Sequence, residues 1–112
     1  MANPENKRKA ARTYPLKPTE IVLKGKAYRL NDISSEGLGI IVEGDAHTFF
    51  MGQRINRIPL QLEQGTEYLK GVVAHITKSE FNSVCGIRFL FGNRKEFESV
   101  QKFQNEQTPR LR

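Results

Sequence analysis

Two short motifs contain the residues of this sequence best suited to hold an anion. Arg8 and Arg12 stand four residues apart in a basic segment, and Asp32, Ser34 and Gly37 form the pattern Asp-x-Ser-x-x-Gly further along the chain. A guanidinium holds an anionic oxygen through two parallel hydrogen bonds and also lies flat on a nucleobase, which an ammonium cannot do. The arginine pair therefore indicates a phosphate-bearing ligand, although the same spacing is also typical of a solvated charged segment.

The second motif is the more specific one, since a chance match to [Asp/Asn]-x-Ser-x-x-Gly is expected in roughly three of a hundred chains of this composition. A carboxylate such as Asp32 accepts two hydrogen bonds side by side, as the guanine edge requires. Ser34 adds a hydroxyl, and Gly37 permits tight backbone turning beside a ligand. The same residues could instead form an Asx or serine turn that closes a hairpin. The residue chemistry leaves both interpretations open.

Composition excludes several classes of protein. A chain of 112 residues with 38% hydrophobic residues is long enough for one domain with one modest core. The only cysteine, Cys85, excludes an intrachain disulfide framework and a thiolate zinc cage. The net charge of +6 favours an anionic partner. Because no apolar run reaches ~18 residues and no secretory signal is visible, we expect a cytoplasmic protein without membrane insertion.

The elements that must position these motifs are short strands followed by one helix. Runs of β-branched and aromatic residues with a period of two predict six strands. Asn93 is placed to cap a helix in which Phe97, Val100 and Phe103 share one face. Many short antiparallel strands in a small chain predict a closed or nearly closed barrel, so the fold class is all-β. The predicted strands are approximately Thr19 to Lys24, Lys26 to Asp32, Leu38 to Glu43, Arg54 to Leu62, Glu67 to Thr77 and Val84 to Phe91.

Three regions follow from this pattern. Residues 1–13 form a flexible basic arm with no large apolar side chain after the first residue, and residues 14–105 form the barrel and the C-terminal helix. Residues 106–112 are polar and form a disordered tail. In the fourth predicted strand Ile55 is out of phase with the apolar positions that follow, which indicates a β-bulge.

In their order and separation, the two motifs resemble those of the PilZ domain family, which are receptors for the bacterial second messenger cyclic di-GMP. The resemblance covers nearly the whole chain, including Leu38-Gly39-Ile40 and Gly86-Ile87-Arg88-Phe89. The family fold is a six-stranded antiparallel β-barrel with a C-terminal α-helix, in agreement with the elements above. The resemblance implies that Arg8 and Arg12 contact phosphates and guanines, that Asp32 and Ser34 read a guanine, and that Gly37 shapes the turn.

Three further residues are possible secondary contacts to the ligand. Lys7 and Lys9 flank the first motif, and the resemblance places His75 near the ligand, where its imidazole could pack on a purine or simply be an ordinary strand residue. Neither histidine of the sequence lies in a cluster with cysteine or carboxylates that is spaced for a metal site, and no catalytic constellation is visible. We therefore expect no enzyme, no cofactor other than the ligand cyclic di-GMP, and no metal.

The resemblance also implies a mode of action. Ligand binding would order the arm and signal to an unidentified downstream protein that controls motility, exopolysaccharide or biofilm formation. One alternative is a small basic barrel that binds single-stranded nucleic acid, but its aromatic side chains Phe89, Phe91, Phe97 and Phe103 are assigned to core faces, so no nucleic acid is expected. The other alternative is a PilZ adaptor that acts mainly through protein contacts.

Overall fold

The computed structural model describes residues 11–44 and 48–107, which contain six strands and a helix. The predicted strands are each found within about two to four residues of their expected bounds, and the helix follows Asn93 as expected. The elements are β1 (Glu20–Leu23), β2 (Lys26–Ile33), β3 (Gly37–Glu43), β4 (Arg54–Leu62), β5 (Gly65–Lys78), β6 (Asn82–Leu90) and α1 (Arg94–Glu106).

All six strands belong to one antiparallel sheet in the order β1-β2-β3-β6-β5-β4. The sheet curls until its end strands, β1 and β4, lie side by side without forming a hydrogen-bonded ladder. The result is a nearly closed barrel with a C-terminal helix, which confirms the predicted fold class. The predicted bulge in β4 is also confirmed, because the pairing of β4 with β5 shifts register between Ile55 and Ile58.

Alternating side chains of the strands fill the inside of the barrel. On β6, Cys85, Ile87 and Phe89 are buried, and Arg88 between them is exposed. Helix α1 packs against β4 and β5 and buries Val100 and Phe103 completely. Burying side chains of this size stabilises the fold by about 1.5–3 kcal/mol each. The helix is therefore part of the same core as the barrel.

The N-terminus of α1 has the predicted cap. The side chain of Asn93 accepts a hydrogen bond from the backbone N–H of Glu96 at 3.0 Å, and the Glu96 carboxylate accepts one from the backbone N–H of Gly92 at 2.7 Å. One expectation is wrong: Phe91 and Phe97 are 38% and 36% exposed and form an edge-to-face pair with ring centroids 5.5 Å apart. Two rings that cover each other partly shield their faces from water without entering the core.

A glutamine of α1 fastens the chain that precedes the barrel. The Gln104 amide donates hydrogen bonds to the Ala11 carbonyl at 2.9 Å and to the Thr13 hydroxyl at 3.0 Å. Thr13 in turn exchanges two backbone hydrogen bonds, of 2.8 and 2.9 Å, with Ile33 at the end of β2. Arg12 therefore lies between two residues whose positions are fixed by hydrogen bonds. Its neighbour Thr13 pairs with Ile33, which belongs to the second motif.

The remainder of the predicted arm and tail, residues 1–10 and 108–112, lies outside the described residues, as do residues 45–47. Among the helices that the structure describes, none has the length and apolar character required to cross a lipid bilayer.

Candidate functional site

Four residues form a row across the outer surface of four neighbouring strands. Asp32 on β2 pairs with Gly39 on β3, Gly39 pairs with Gly86 on β6, and Gly86 pairs with His75 on β5. Pairing partners in a sheet lie directly opposite one another, so the row runs perpendicular to the strands. Its two ends carry polar side chains and its centre carries none.

Both ends of this row lie next to a register shift. The pairing of β2 with β3 shifts between Leu30 and Asp32, which leaves Asn31 as the extra residue. The pairing of β5 with β6 shifts between Val73 and His75, which leaves Ala74 as the extra residue. A bulge turns the side chain that follows it and increases the local twist. The two bulges therefore aim the Asp32 carboxylate and the His75 imidazole along the same surface.

The two glycines in the centre are required by the side chains beside them. A Cβ placed on Gly39 would lie 2.9 Å from Oδ2 of Asp32, and a Cβ placed on Gly86 would collide with the imidazole ring of His75. Glycine within a strand often marks a place where another group approaches the backbone closely. We call the depression bounded by Asp32, Gly39, Gly86 and His75 the glycine-floored cavity; its volume is about 390 Å³.

The Asp32 carboxylate is the most constrained polar group of the cavity. Only 9% of the residue is exposed, and its Oδ2 accepts a hydrogen bond of 2.7 Å from the side-chain amide of Asn31. No other residue in the described ranges donates a side-chain hydrogen bond to it. The carboxylate is therefore held in one orientation while retaining capacity to accept further hydrogen bonds.

Ser34 mainly holds the turn that joins β2 to β3. Its hydroxyl oxygen accepts hydrogen bonds from the backbone N–H groups of Glu36 and Gly37 at 3.1 and 3.3 Å, and its own N–H donates to the Gly37 carbonyl at 2.8 Å. The serine-turn interpretation of the motif is thus correct for this residue. Ser34 nevertheless lines the cavity, so turn formation and ligand contact are compatible.

Gly37 serves a purpose other than the one expected. It is not among the residues with a positive φ, so the turn does not need its conformational freedom. A Cβ at this position would instead collide with the backbone carbonyl of Ile87 on β6. Gly37 allows β3 to approach β6 closely beside the cavity.

The positive charges predicted for the site are found only in part within the described residues. Arg12 lines the cavity. Arg8, Lys7 and Lys9 lie outside the described residues. Arg88, which the sequence analysis did not select, lines the cavity from β6 and is exposed.

Several lining residues have no role assigned from the sequence. Arg88 belongs to a segment that contributes to the family resemblance but carries no ligand motif, and Asn31 gains its role only from the bulge. Gly39 and Gly86 did carry a signal, since each is an isolated glycine inside an apolar β-run. His75 lies in the cavity, where its ring covers Gly86.

The groups of the cavity suit binding better than catalysis. In the described part of the chain, no three His, Cys, Asp or Glu side chains come together as metal ligands would. Burial raises the pKa of the Cys85 thiol from 9.0 to about 11, so this thiol is not an activated nucleophile. A hydrogen-bond acceptor, an imidazole ring and two guanidinium groups together match a planar base attached to an anionic group.

Comparisons with known proteins agree with this architecture. The family described as PilZ domain matches residues 6–104. The PilZ domain with c-di-GMP of YcgR from Escherichia coli has 18% sequence identity and a TM-score of 0.73, over 90% of this chain and 91% of that one. No curated protein matches the chain.

Two longer proteins contain the same fold. The MrkH–c-di-GMP complex of K. pneumonia has 16% identity and a TM-score of 0.67, over 89% of this chain and 52% of that one. The Bacillus subtilis inhibitor of motility, MotI/DgrA, has 16% identity and a TM-score of 0.64, over 89% of this chain and 50% of that one. The present chain therefore spans about half the length of these two proteins.

Proposed function

Since this chain belongs to the PilZ domain family, we propose that it is a receptor for cyclic di-GMP that binds the dinucleotide in the glycine-floored cavity. The observation that carries the proposal is the row of Asp32 and His75 flanking two glycines, with Arg12 beside it. A guanine can stack on the imidazole ring that lies over Gly86, and its N–H edge requires a fixed acceptor such as Asp32. The structures of YcgR and MrkH named above contain c-di-GMP, which supports the same ligand here.

Each residue then has a distinct task. Asp32 accepts hydrogen bonds from the guanine edge, and Arg8 and Arg12 neutralise the phosphates and cover the bases. His75 packs on a purine, and Ser34 and Gly37 hold the turn and the close strand contact that shape the cavity wall. Lys7 and Lys9 add positive charge near the phosphates. We assign no catalytic role and no metal to this site.

Calorimetric titration of the full chain tests this function. Cyclic di-GMP should bind with a Kd of 1 μM or below, about −8 kcal/mol, because two forked cations and a carboxylate meet one dianionic ligand with two guanines. GTP and a single-stranded oligonucleotide serve as controls and should bind far more weakly. The absence of any heat at ligand concentrations around 100 μM, where binding would be worth only about 5–6 kcal/mol, overturns the proposal.

We further propose that the signal is the ordering of the arm over the bound ligand. Residues 2–10 contain no large apolar side chain, and three basic residues outweigh Glu5, so their own contacts do not offset the entropy of fixing them. The last part of the predicted arm differs, because residues 11–13 are already fastened to Ile33 and Gln104. The dinucleotide supplies a common partner for Arg8 and Arg12. The covered ligand then presents a new surface to a downstream protein, whose process could be motility, exopolysaccharide or biofilm control.

Limited trypsin digestion tests the ordering directly. Saturating cyclic di-GMP should slow cleavage after Lys7, Arg8, Lys9 and Arg12, and GTP at the same concentration should not. In Arg12→Ala, the dinucleotide should fail to protect the three remaining sites. Equal cleavage rates with and without bound dinucleotide would place the switch elsewhere.

A further inference from the structure

A second depression lies along the open seam of the barrel, where β1 and β4 meet without a ladder. Its volume is about 640 Å³, and it shares no lining residue with the glycine-floored cavity. We call it the seam groove; the residues that matter for its chemistry are Val22, Lys24, Arg54, Arg57, Pro59 and Tyr68.

Backbone groups of both end strands face this groove. The β1–β2 hairpin turns at Lys24 and Gly25, which both have positive φ, so Leu23 and Lys26 form the hydrogen-bonded pair that closes a type I′ turn. Hydrogen-bonded and non-hydrogen-bonded pairs alternate along antiparallel strands. Val22, opposite Ala27, therefore points its N–H and C=O away from β2 and toward the seam.

The same alternation applies to β4. Leu62 and Gly65 close the β4–β5 hairpin, so Gln61 and Pro59 point their backbone groups toward the seam. Pro59 has no N–H, and its position leaves no unpaired donor there. Val22 and Gln61 thus provide strand-edge donors and acceptors for which the barrel supplies no ladder.

The charge of the groove has one sign. Lys24, Arg54 and Arg57 line it, and no Asp or Glu of the described chain does. None of these three cations takes part in a salt bridge within the described residues. The Arg57 guanidinium lies 4.0 Å from the centre of the Tyr68 ring, a cation–π contact that holds the planar group against the ring.

We propose that the seam groove docks an extended acidic segment of a partner protein. The strand-edge backbone groups pair with the backbone of the extended peptide. Val22 and Tyr68, each 48% exposed, contact every second side chain of the peptide. The three cations pair with carboxylates of the peptide residues between those side chains. This surface lies outside the proposed dinucleotide site and does not depend on it.

Charge and geometry argue against other occupants. Residues 1–10 and 108–112 of this chain are both net basic, and a second copy carries a net charge of +6, so each would be repelled by the groove. Single-stranded nucleic acid needs open aromatic faces for stacking, and Arg57 covers one face of Tyr68. An acidic peptide uses both the cations and the strand edge.

Fluorescence anisotropy with the full chain and a labelled octapeptide of alternating glutamate and valine tests the proposal. At low salt the peptide should bind with a submillimolar Kd, and an octapeptide of alternating serine and valine should bind at least tenfold more weakly. The double variant Arg54→Gln/Arg57→Gln should weaken binding of the acidic peptide at least tenfold. The control Lys95→Gln/Lys102→Gln, which removes the same charge from the exposed face of α1, should change it less than twofold.

Amide chemical shifts of the wild-type chain provide a test that needs no variant. The acidic peptide should shift the Val22 and Gln61 amides more than that of Gly86. The proposal is overturned if both double variants weaken peptide binding equally, or if amide shifts are spread over all basic surfaces. Either result would show that the peptide is attracted only by the overall positive charge. Tighter binding of an oligothymidylate at the same residues would overturn it in favour of nucleic acid.

Discussion

The glycine-floored cavity and the seam groove share no lining residue, and both are rimmed by arginine. In the cavity, two bulges place a carboxylate and an imidazole over two glycines, which leave room for them. In the seam groove, three cations and one ring border two strand edges, and no acid among the described residues lines it. Basic residues alone attract many anions, so we attribute any selectivity of the cavity to its placed acceptor and its imidazole ring.

The largest expected effect separates the arginines of the two regions. Arg12→Ala should weaken cyclic di-GMP binding by about 1.5–3 kcal/mol, because charge, fork and stacking surface are lost together. Arg54→Ala removes the same side chain from the seam groove and should change the affinity less than twofold. Calorimetry on both variants measures the difference. If both variants lost similar, small amounts of binding free energy, the dinucleotide would be attracted only by the overall charge of the protein.

The second test uses the carboxylate, which only the cavity has. Asp32→Ala should weaken cyclic di-GMP binding by roughly tenfold, about 1.4 kcal/mol, although it makes the protein more positive. Glu20→Ala makes the same change in charge at an exposed position of β1. It should leave the affinity for cyclic di-GMP unchanged or slightly increased. Tighter binding by the Asp32 variant would identify that carboxylate as a repulsive bystander.

The third test concerns the barrel wall beneath the cavity floor. Burial raises the pKa of Cys85 to about 11, above its value of 9.0 in the unfolded chain. The native state therefore keeps a proton that the unfolded state loses, so the thiol's contribution is fully present below pH 9 and declines as the pH rises toward 11. Urea unfolding at pH 8 and pH 10 should show a loss of about 1 kcal/mol that Cys85→Ala lacks. An identical pH dependence in both proteins would contradict the assignment.

The smallest expected effect distinguishes two strand glycines. Gly86→Ala should displace the His75 ring and weaken cyclic di-GMP binding roughly threefold, as for loss of one ring contact, with little change in stability. In Gly71→Ala the new Cβ would lie 2.6 Å from Cγ2 of Ile87 and 2.9 Å from Cδ1 of Ile58, inside the core. That variant should lose about 1–3 kcal/mol of stability through overpacking. Titration and thermal unfolding of both proteins measure the contrast; exchanged outcomes would show that Gly86 serves the fold rather than the cavity.

The sequence predicted the barrel well because each strand has its own alternation and turn residues. The sequence also singled out Asp32 and Arg12, which line one cavity, because their residue types carry the chemistry. It did not predict the bulges at Asn31 and Ala74, since an extra residue in one strand becomes visible only when the partner strand is known. Arg88 was missed for the same reason, because its place beside the cavity follows from cross-strand register.

One glycine and one pair of phenylalanines have roles that differ from those indicated by the sequence. Gly37 appeared to serve a turn, but the backbone of Ile87 is what excludes a side chain there. Phe91 and Phe97 continue the apolar patterns of β6 and α1. Each nevertheless lies at the edge of the buried face, where its ring is partly exposed and contacts the other ring. Periodicity reports which face a residue is on and does not report where that face ends.

The hydrogen bonds from Gln104 to Ala11 and Thr13 connect the C-terminal helix directly to the Arg12 segment. If occupancy of the cavity alters how firmly residues 11–13 are held, it also alters the affinity of any protein whose binding to α1 changes the Gln104 contacts. Linkage is reciprocal: if the dinucleotide changes the affinity of a protein for α1 by some factor, that protein changes the affinity for the dinucleotide by the same factor. On the proposed function, the abundance of such a protein would therefore set the dinucleotide concentration at which the cavity becomes occupied.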